Sequence, residues 1–214
     1  MSKDNGRKIQ TGQVIAVKGG LFRQFWQNPH AAEANFILSA EATDSASITT
    51  LSSFDEAIDF ARNVTVLPGG TTADVKAGNV TIVGTDIRGD VVSEEIAIIA
   101  NQSTASTGSV AFATVVSVSI PAQDNDGATF DVGIGDKFGL EKLLNYNTIG
   151  GNAGVATGSK VSNGTREGTA PTVTTDTQSI EKNTVNFNTA AAASKTYIVD
   201  MITTDPADPT QSEV

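Results

Sequence analysis

The chain has 214 residues, long enough for one large β domain or for one domain with long appendages. Its 24 acidic residues outweigh 14 basic ones to give a net charge of −10, so a nucleic-acid duplex or an anionic membrane surface would repel it at long range. There is no cysteine, which removes disulfides, thiolate nucleophiles and cysteine-based zinc sites together.

The opening decapeptide MSKDNGRKIQ is charged and no apolar run follows it. Neither a secretory leader nor a membrane span of roughly 18 apolar residues is therefore expected, and the product is expected to stay in the cytoplasm of its producer. Residues 1–60 read as an N-terminal arm, because they hold Phe22, Phe25, Trp26, Phe36, Phe54 and Phe60, half of the aromatic residues, without sustained alternation. One or two short helices are expected within it. Leu21, Phe22, Phe25 and Trp26 make a one-sided stripe at helical spacing, interrupted at Asn28-Pro29. In SSFDEAIDFARN, Ser53 and Glu56 have capping-box spacing while Phe54, Ala57, Ile58 and Ala61 share a helical face.

At Val64 the pattern changes to short runs of Val, Ile, Thr and Phe punctuated by Gly, Asp and Asn. Strands are expected near 64–67, 79–85, 91–99, 109–120, 128–134, 158–163, 170–175, 184–188 and 195–203, a spacing that suits an antiparallel Ig-like β-sandwich over residues 61–203. The run 109–120 alternates best, with Val110, Phe112, Thr114, Val116, Val118 and Ile120 on one face, and is expected as the central strand. Glu94 and Glu95 are adjacent and must point to opposite faces. Asn163-Gly164 reads as a hairpin turn inside a long Gly/Asn-rich loop, and residues 204–214 as an acidic flexible tail.

No candidate for chemistry in this pattern is coherent. Arg88-Gly89-Asp90 falls where the hairpin between 79–85 and 91–99 needs a turn, and Asp86, Gly89 and Asp90 are turn residues for steric reasons. Asp124, Asp126, Asp131 and Asp136 offer hard oxygen ligands for calcium, but Gly127 comes too early for an EF-hand and no Glu closes the loop, so a plain turn is expected. GGNAGVATGSK lacks the Gly-Lys-Ser/Thr of a phosphate loop. His30 is the lone histidine, in an irregular stretch far from any nucleophile elbow, and is expected at a surface or interface. The sequons at Asn63, Asn79, Asn101 and Asn163 read as strand and turn residues of a Thr-rich β protein. Paired carboxylates for glycoside hydrolysis depend on a separation that sequence does not contain. Few aromatic stacking platforms lie outside the arm, which makes sugar binding the weaker reading. No catalytic residue, cofactor or metal is expected, and neither nucleic acid nor membrane is expected as a partner.

Arg62-Asn63-Val64-Thr65, Gly84-Thr85-Asp86, Glu94-Glu95-Ile96, Phe112-Ala113-Thr114-Val115 and Gly133-Ile134-Gly135-Asp136-Lys137-Phe138-Gly139-Leu140 carry a resemblance. Over about residues 60–200 the chain resembles a family of small structural proteins encoded in the head-gene regions of tailed bacteriophages and prophages. It departs from that family at Glu141, where proline is usual, and in its long aromatic arm. The resemblance implies a virion component without catalytic residues: a capsid decoration, or cement, protein bound to the major capsid protein on the outer shell. It further implies a homo-oligomer, with a trimer at local three-fold positions favoured. A tail or neck protein and a carbohydrate-binding surface module are the alternative readings. An arm without its own core gains burial on a partner, so Phe22, Phe25, Trp26 and Phe36 are the expected interface residues.

Overall fold

In the structure, a computed structural model, the strand expected from Val64 already begins at Arg62. Residues 20–143, 155–161, 165–166, 168–169, 171–176 and 178–203 are described. Among them the chain is mainly β and every strand pairing is antiparallel.

The first three strands, β1 (Gly20–Gln27), β2 (Glu33–Ala42) and β3 (Thr49–Leu51), lie in the segment expected as an arm. Next come β4 (Arg62–Gly70), β5 (Gly78–Thr85), β6 (Val91–Ile98), β7 (Ser106–Phe112), β8 (Thr114–Ile120) and β9 (Ala128–Gly139). The last are β10 (Val155–Val161), β11 (Thr165–Arg166), β12 (Thr172–Thr174), β13 (Thr184–Asn186) and β14 (Thr196–Thr203). One sheet has the order β12-β13-β9-β4-β7, with β2 also on β9; a second runs β3-β8-β5-β6, and a third β1-β14-β10-β11.

Alternation places the cores. Val80 and Ile82 on β5, Ile96 and Ile98 on β6, and Val118 and Ile120 on β8 meet Val64 and Val66 of β4 and Phe130, Val132 and Ile134 of β9 in one cluster shared by the first two sheets. A second cluster gathers Trp26 of β1, Phe138 and Leu140, Val185 and Phe187, and Tyr197 and Val199 of β14. Trp26 packs tilted on Phe138 at 5.3 Å and edge-on to Phe187 at 5.5 Å between centroids, while Phe138 and Tyr197 stack at 6.1 Å.

Four expectations are corrected here. The helical stripe at Leu21–Trp26 is strand β1, paired residue for residue with β14. Its alternation is hidden because a core position holds Gln24, whose amide donates to Gly139 O at 3.0 Å and accepts from Glu141 N–H at 3.0 Å. Residues 52–61 contain no helix. A helix this short is marginal by itself, and tertiary bonds take its groups: Asp55 N–H donates to Ile37 O, Phe54 and Ile58 pack on the main core, and Asp59 receives the N–H groups of His30 and Phe60.

The expected central strand 109–120 divides at Ala113 into β7 and β8, which belong to different sheets. Ala113 N–H donates to Thr85 O at 2.7 Å at the crossing, and a Cβ on Gly84 would come within 2.0 Å of Thr114 O. The register slips between Val83 and Gly84, which leaves Val116 as the extra residue of a bulge, largely exposed on the strand where alternation had placed it inward. The most embedded strand is β9, with β4 on one side and β2 and β13 sharing the other.

The arm over 1–60 is likewise revised for residues 20–60, which supply three strands and bury Trp26 and Phe36, two of the four expected interface residues, in the cores. Its first 19 residues, the turn at Asn163-Gly164, most of the Gly-rich loop and the tail 204–214 lie outside the described residues.

Candidate functional site

The first and last stretches that carry the family resemblance meet in space. Arg62 and Asn63 open β4 and are both fully buried, opposite the Gly-rich end of β9. Arg62 donates from Nε to Gly135 O at 2.7 Å and from Nη1 to His30 O at 3.0 Å and to Asp59 Oδ1 at 3.3 Å, and its guanidinium lies 4.8 Å from the centroid of the Phe138 ring. Burial pushes this guanidinium below the ordinary arginine value, and the Asp59 carboxylate opposes that shift. Asn63 donates to Gly108 O at 3.3 Å and accepts Lys137 N–H at 2.9 Å across the register slip between Arg62 and Val64.

The glycines of this motif are spacings. A Cβ on Gly135 would come within 2.4 Å of the Asn63 amide, and one on Gly133 within 1.9 Å of Glu33 O on β2, so glycine lets a side chain and then a neighbouring backbone approach β9.

The other motif residues close turns and edges. Asp86 is buried at the β5–β6 hairpin, and its Oδ1 accepts the N–H groups of Arg88 at 2.8 Å and Asp90 at 3.0 Å, while Gly89 takes a φ of +88°. Arg88-Gly89-Asp90 is thus the body of a turn tied down by Asp86. Glu94 and Glu95 do point apart: Glu95 accepts from the Asn79 amide at 2.8 Å, whereas Glu94 reaches β7 and accepts from Ser109 N–H at 2.6 Å, Ser109 Oγ–H at 2.7 Å and Val110 N–H at 3.2 Å. Glu94 therefore joins the edge of one sheet to the edge of another, and Gly108 makes room for it.

The candidate ligands scatter. Asp126 accepts Ser45 N–H at 2.9 Å, Asp131 accepts Ala40 N–H at 2.6 Å, Asp136 accepts Ala191 N–H at 3.3 Å, and Asp124 lies 3.9 Å from Lys76 Nζ. Among the described residues no three of His, Cys, Asp and Glu are grouped to hold a metal ion. His30 is exposed, with its ring 5.0 Å from Phe36 and its backbone N–H on Asp59 at 2.8 Å.

Of the four expected interface residues, Trp26 is 2% and Phe36 7% exposed, each covered by the chain itself. Phe25 is 63% exposed on the outer face of β1. Phe22 lies on β1, with its side chain outside what the structure describes. Exposed apolar residues elsewhere are Ile48, Val91, Ile99 and Val116.

Two surface hollows flank this framework. One of about 330 Å³ lies under residues 54–58 and is lined by Ile37, Phe54, Ile58 and Val115. The other, about 360 Å³, is lined by Glu33, Asn63, Gly135, Asp136, Lys137 and Asn186. What the sequence reading missed is the buried Arg62. Its signal is an arginine directly before a Val-Thr-Val strand, where a charge must find partners to be tolerated. Among the described residues no helix is long and apolar enough to cross a membrane. Comparison with protein-family models, with curated proteins and with solved structures finds no match to this chain.

Proposed function

We propose that the protein is a structural component of a tailed-phage virion, decorating the outer capsid shell as a homo-oligomer without catalysing a reaction. The fold assigned to it is an Ig-like sandwich in which the six-stranded and four-stranded sheets share one core. One observation carries the reading: the residues behind the family resemblance are used for framework. Arg62, Asn63, Gly84, Asp86, Glu94, Gly133 and Gly135 fasten strands, turns and sheet edges to one another. A motif whose residues fasten strands and turns supports a structural role over a reactive one.

The test is the copy number in purified virions, together with occupancy on shells assembled from the major capsid protein alone. Hundreds of copies per particle and saturable binding to bare shells are expected. A ring-like number of a dozen or fewer would place the protein at the neck or tail, and its absence from the particle would end the proposal.

A further inference from the structure

Strand β8 outruns the short strand beside it. It pairs with β5 from Thr114 to Ser119, whereas β3 reaches only from Thr49, opposite Ile120, to Leu51, opposite Val118. The chain then leaves the ladder, and residues 52–58 continue without helix or strand. The hollow of about 330 Å³ opens where β3 stops, between residues 54–58 on one side and Ala113, Thr114 and Val115 on the other. All of the residues that line it belong to the continuous described stretch 20–143.

Its floor is apolar and its rim is acidic. Ile37, Phe54, Ile58 and Val115 line the floor and belong to or pack on the main core, and Val116, next along β8, is 55% exposed. Asp55 and Glu56 line the same hollow, and both are exposed. Elsewhere carboxylates hold the fold together: Asp59, Asp86, Glu94 and Asp131 each accept backbone N–H groups. The side chains of Asp55 and Glu56 are not used in this way. Among the described residues neither has a hydrogen bond or an ion pair, and the turn is tied instead through its backbone, Asp55 N–H donating to Ile37 O at 2.9 Å.

We propose that this hollow docks a segment of a partner protein in which an apolar side chain lies beside a lysine or arginine. Size, floor and charge each select that occupant. Cavities that enclose small ligands run roughly 300–1,000 Å³, so a hollow of about 330 Å³ admits an anchoring side chain and its neighbour rather than a helix. The anchor takes the exposed parts of Phe54, Ile58 and Val115 out of water. The cation meets two carboxylates that no group of the fold competes for, and the net charge of −10 draws it in at long range. The same charge turns away an acidic peptide, an anionic lipid surface and the acidic body of a second copy.

The proposal goes beyond shell binding and is measured on the free protein, so either can fail alone. The probe is acetyl-Lys-Leu-Lys-amide titrated into the full chain, with acetyl-Glu-Leu-Glu-amide as the control, followed through the methyl resonances of Ile37, Ile58 and Val115. Saturable shifts are expected with the basic peptide, weakened by added salt, and none with the acidic one. Ala57→Trp sets a ring over the hollow from an exposed position and is expected to weaken the basic peptide at least about tenfold. Asp55→Asn combined with Glu56→Gln removes the charge, keeps the shape and is expected to weaken it about threefold or more. These amides keep the test valid if the tryptophan variant does not fold. The absence of a saturable shift, equal shifts with both peptides, or an affinity that either folded variant leaves unchanged overturns the proposal. So do Overhauser contacts in the free protein from the Ile58 or Val115 methyls to residues 1–19, which would mean that the chain's own segment occupies the hollow.

Discussion

The core shared by the six- and four-stranded sheets is mostly aliphatic and drawn largely from strands that follow one another between β4 and β9, with Phe36, Ile37 and Leu38 added from β2. The core beneath β1 and β14 is aromatic and drawn from places far apart in the chain: Trp26, Phe138, Phe187 and Tyr197. The first can assemble through neighbouring hairpins such as β5–β6, whose closing turn is organised by Asp86. The second needs residues more than a hundred positions apart to meet, so loop-closure entropy is spent before any contact is gained. Arg62 stands where the two regions touch. It grips Gly135 O and His30 O beside the first core and stacks on Phe138 of the second.

This contrast can be broken from either side, and the largest effect is expected from the first core. Phe130→Ala removes a fully buried ring from near the start of β9 and is expected to lower global stability by about 3–5 kcal/mol. Trp26→Ala deletes comparable bulk from the second core, and its signature should be local: faster amide exchange in β1 and β14, with β5 and β8 amides unchanged. Uniform loss of protection in both variants would show that the two regions unfold as one unit.

Arg62→Ala comes next, at about 3 kcal/mol, since it leaves Gly135 O and His30 O without their donor and uncovers Phe138. Because it touches both cores, exchange should rise in both. Arg62→Met keeps the packing and forgoes the charge, and denaturant titration should find it less damaging than alanine.

Glu94→Gln tests the seam between β6 and β7 and should cost about 1–2 kcal/mol, because a single amide oxygen cannot serve Ser109 N–H, Ser109 Oγ–H and Val110 N–H together. The loss should be confined to β6 and β7 amides. Equal stability of the variant and parent would remove Glu94 from the account of how the sheets join.

The smallest effect is pH-dependent and belongs to the second region. The N–H groups of Gln178 and Ser179 hold the Asp176 carboxyl below its ordinary value. A carboxylate with a depressed folded-state pKa stabilises the fold above its unfolded pKa of about 3.9, and that contribution is lost as pH falls through the folded value. Asp176→Asn should therefore be slightly less stable than the parent at pH near 7, with the gap closing in acid. A gap that is constant with pH in thermal melts would mean that the ionised form has no advantage.

Several features could be read from residues near one another in sequence. Runs of Val, Ile, Thr and Phe between turn residues placed β5, β6 and the first part of β9, which continues past the expected end at 134 to Gly139, and turn chemistry placed the Asp86–Asp90 hairpin, because strand-forming runs and tight turns are local properties. The opposed directions of Glu94 and Glu95 followed from a strand's period of two. The missed elements depended on distant partners. Strand β1 was masked by Gln24, a polar residue at a core position that is satisfied by Gly139 and Glu141, more than a hundred residues away. Residues 52–61 carry a helix pattern that loses to bonds with Ile37, His30 and Arg62. The kink at Ala113 arises where Gly84 lets Thr114 come close, so neither strand predicts it alone. The sequence by itself determined a β protein with an acidic surface and no disulfides, since composition and period two are carried by each residue and its neighbours. Only the tertiary structure decided which polar residues are buried and which glycines are spacings, since each of these depends on what lies across the gap.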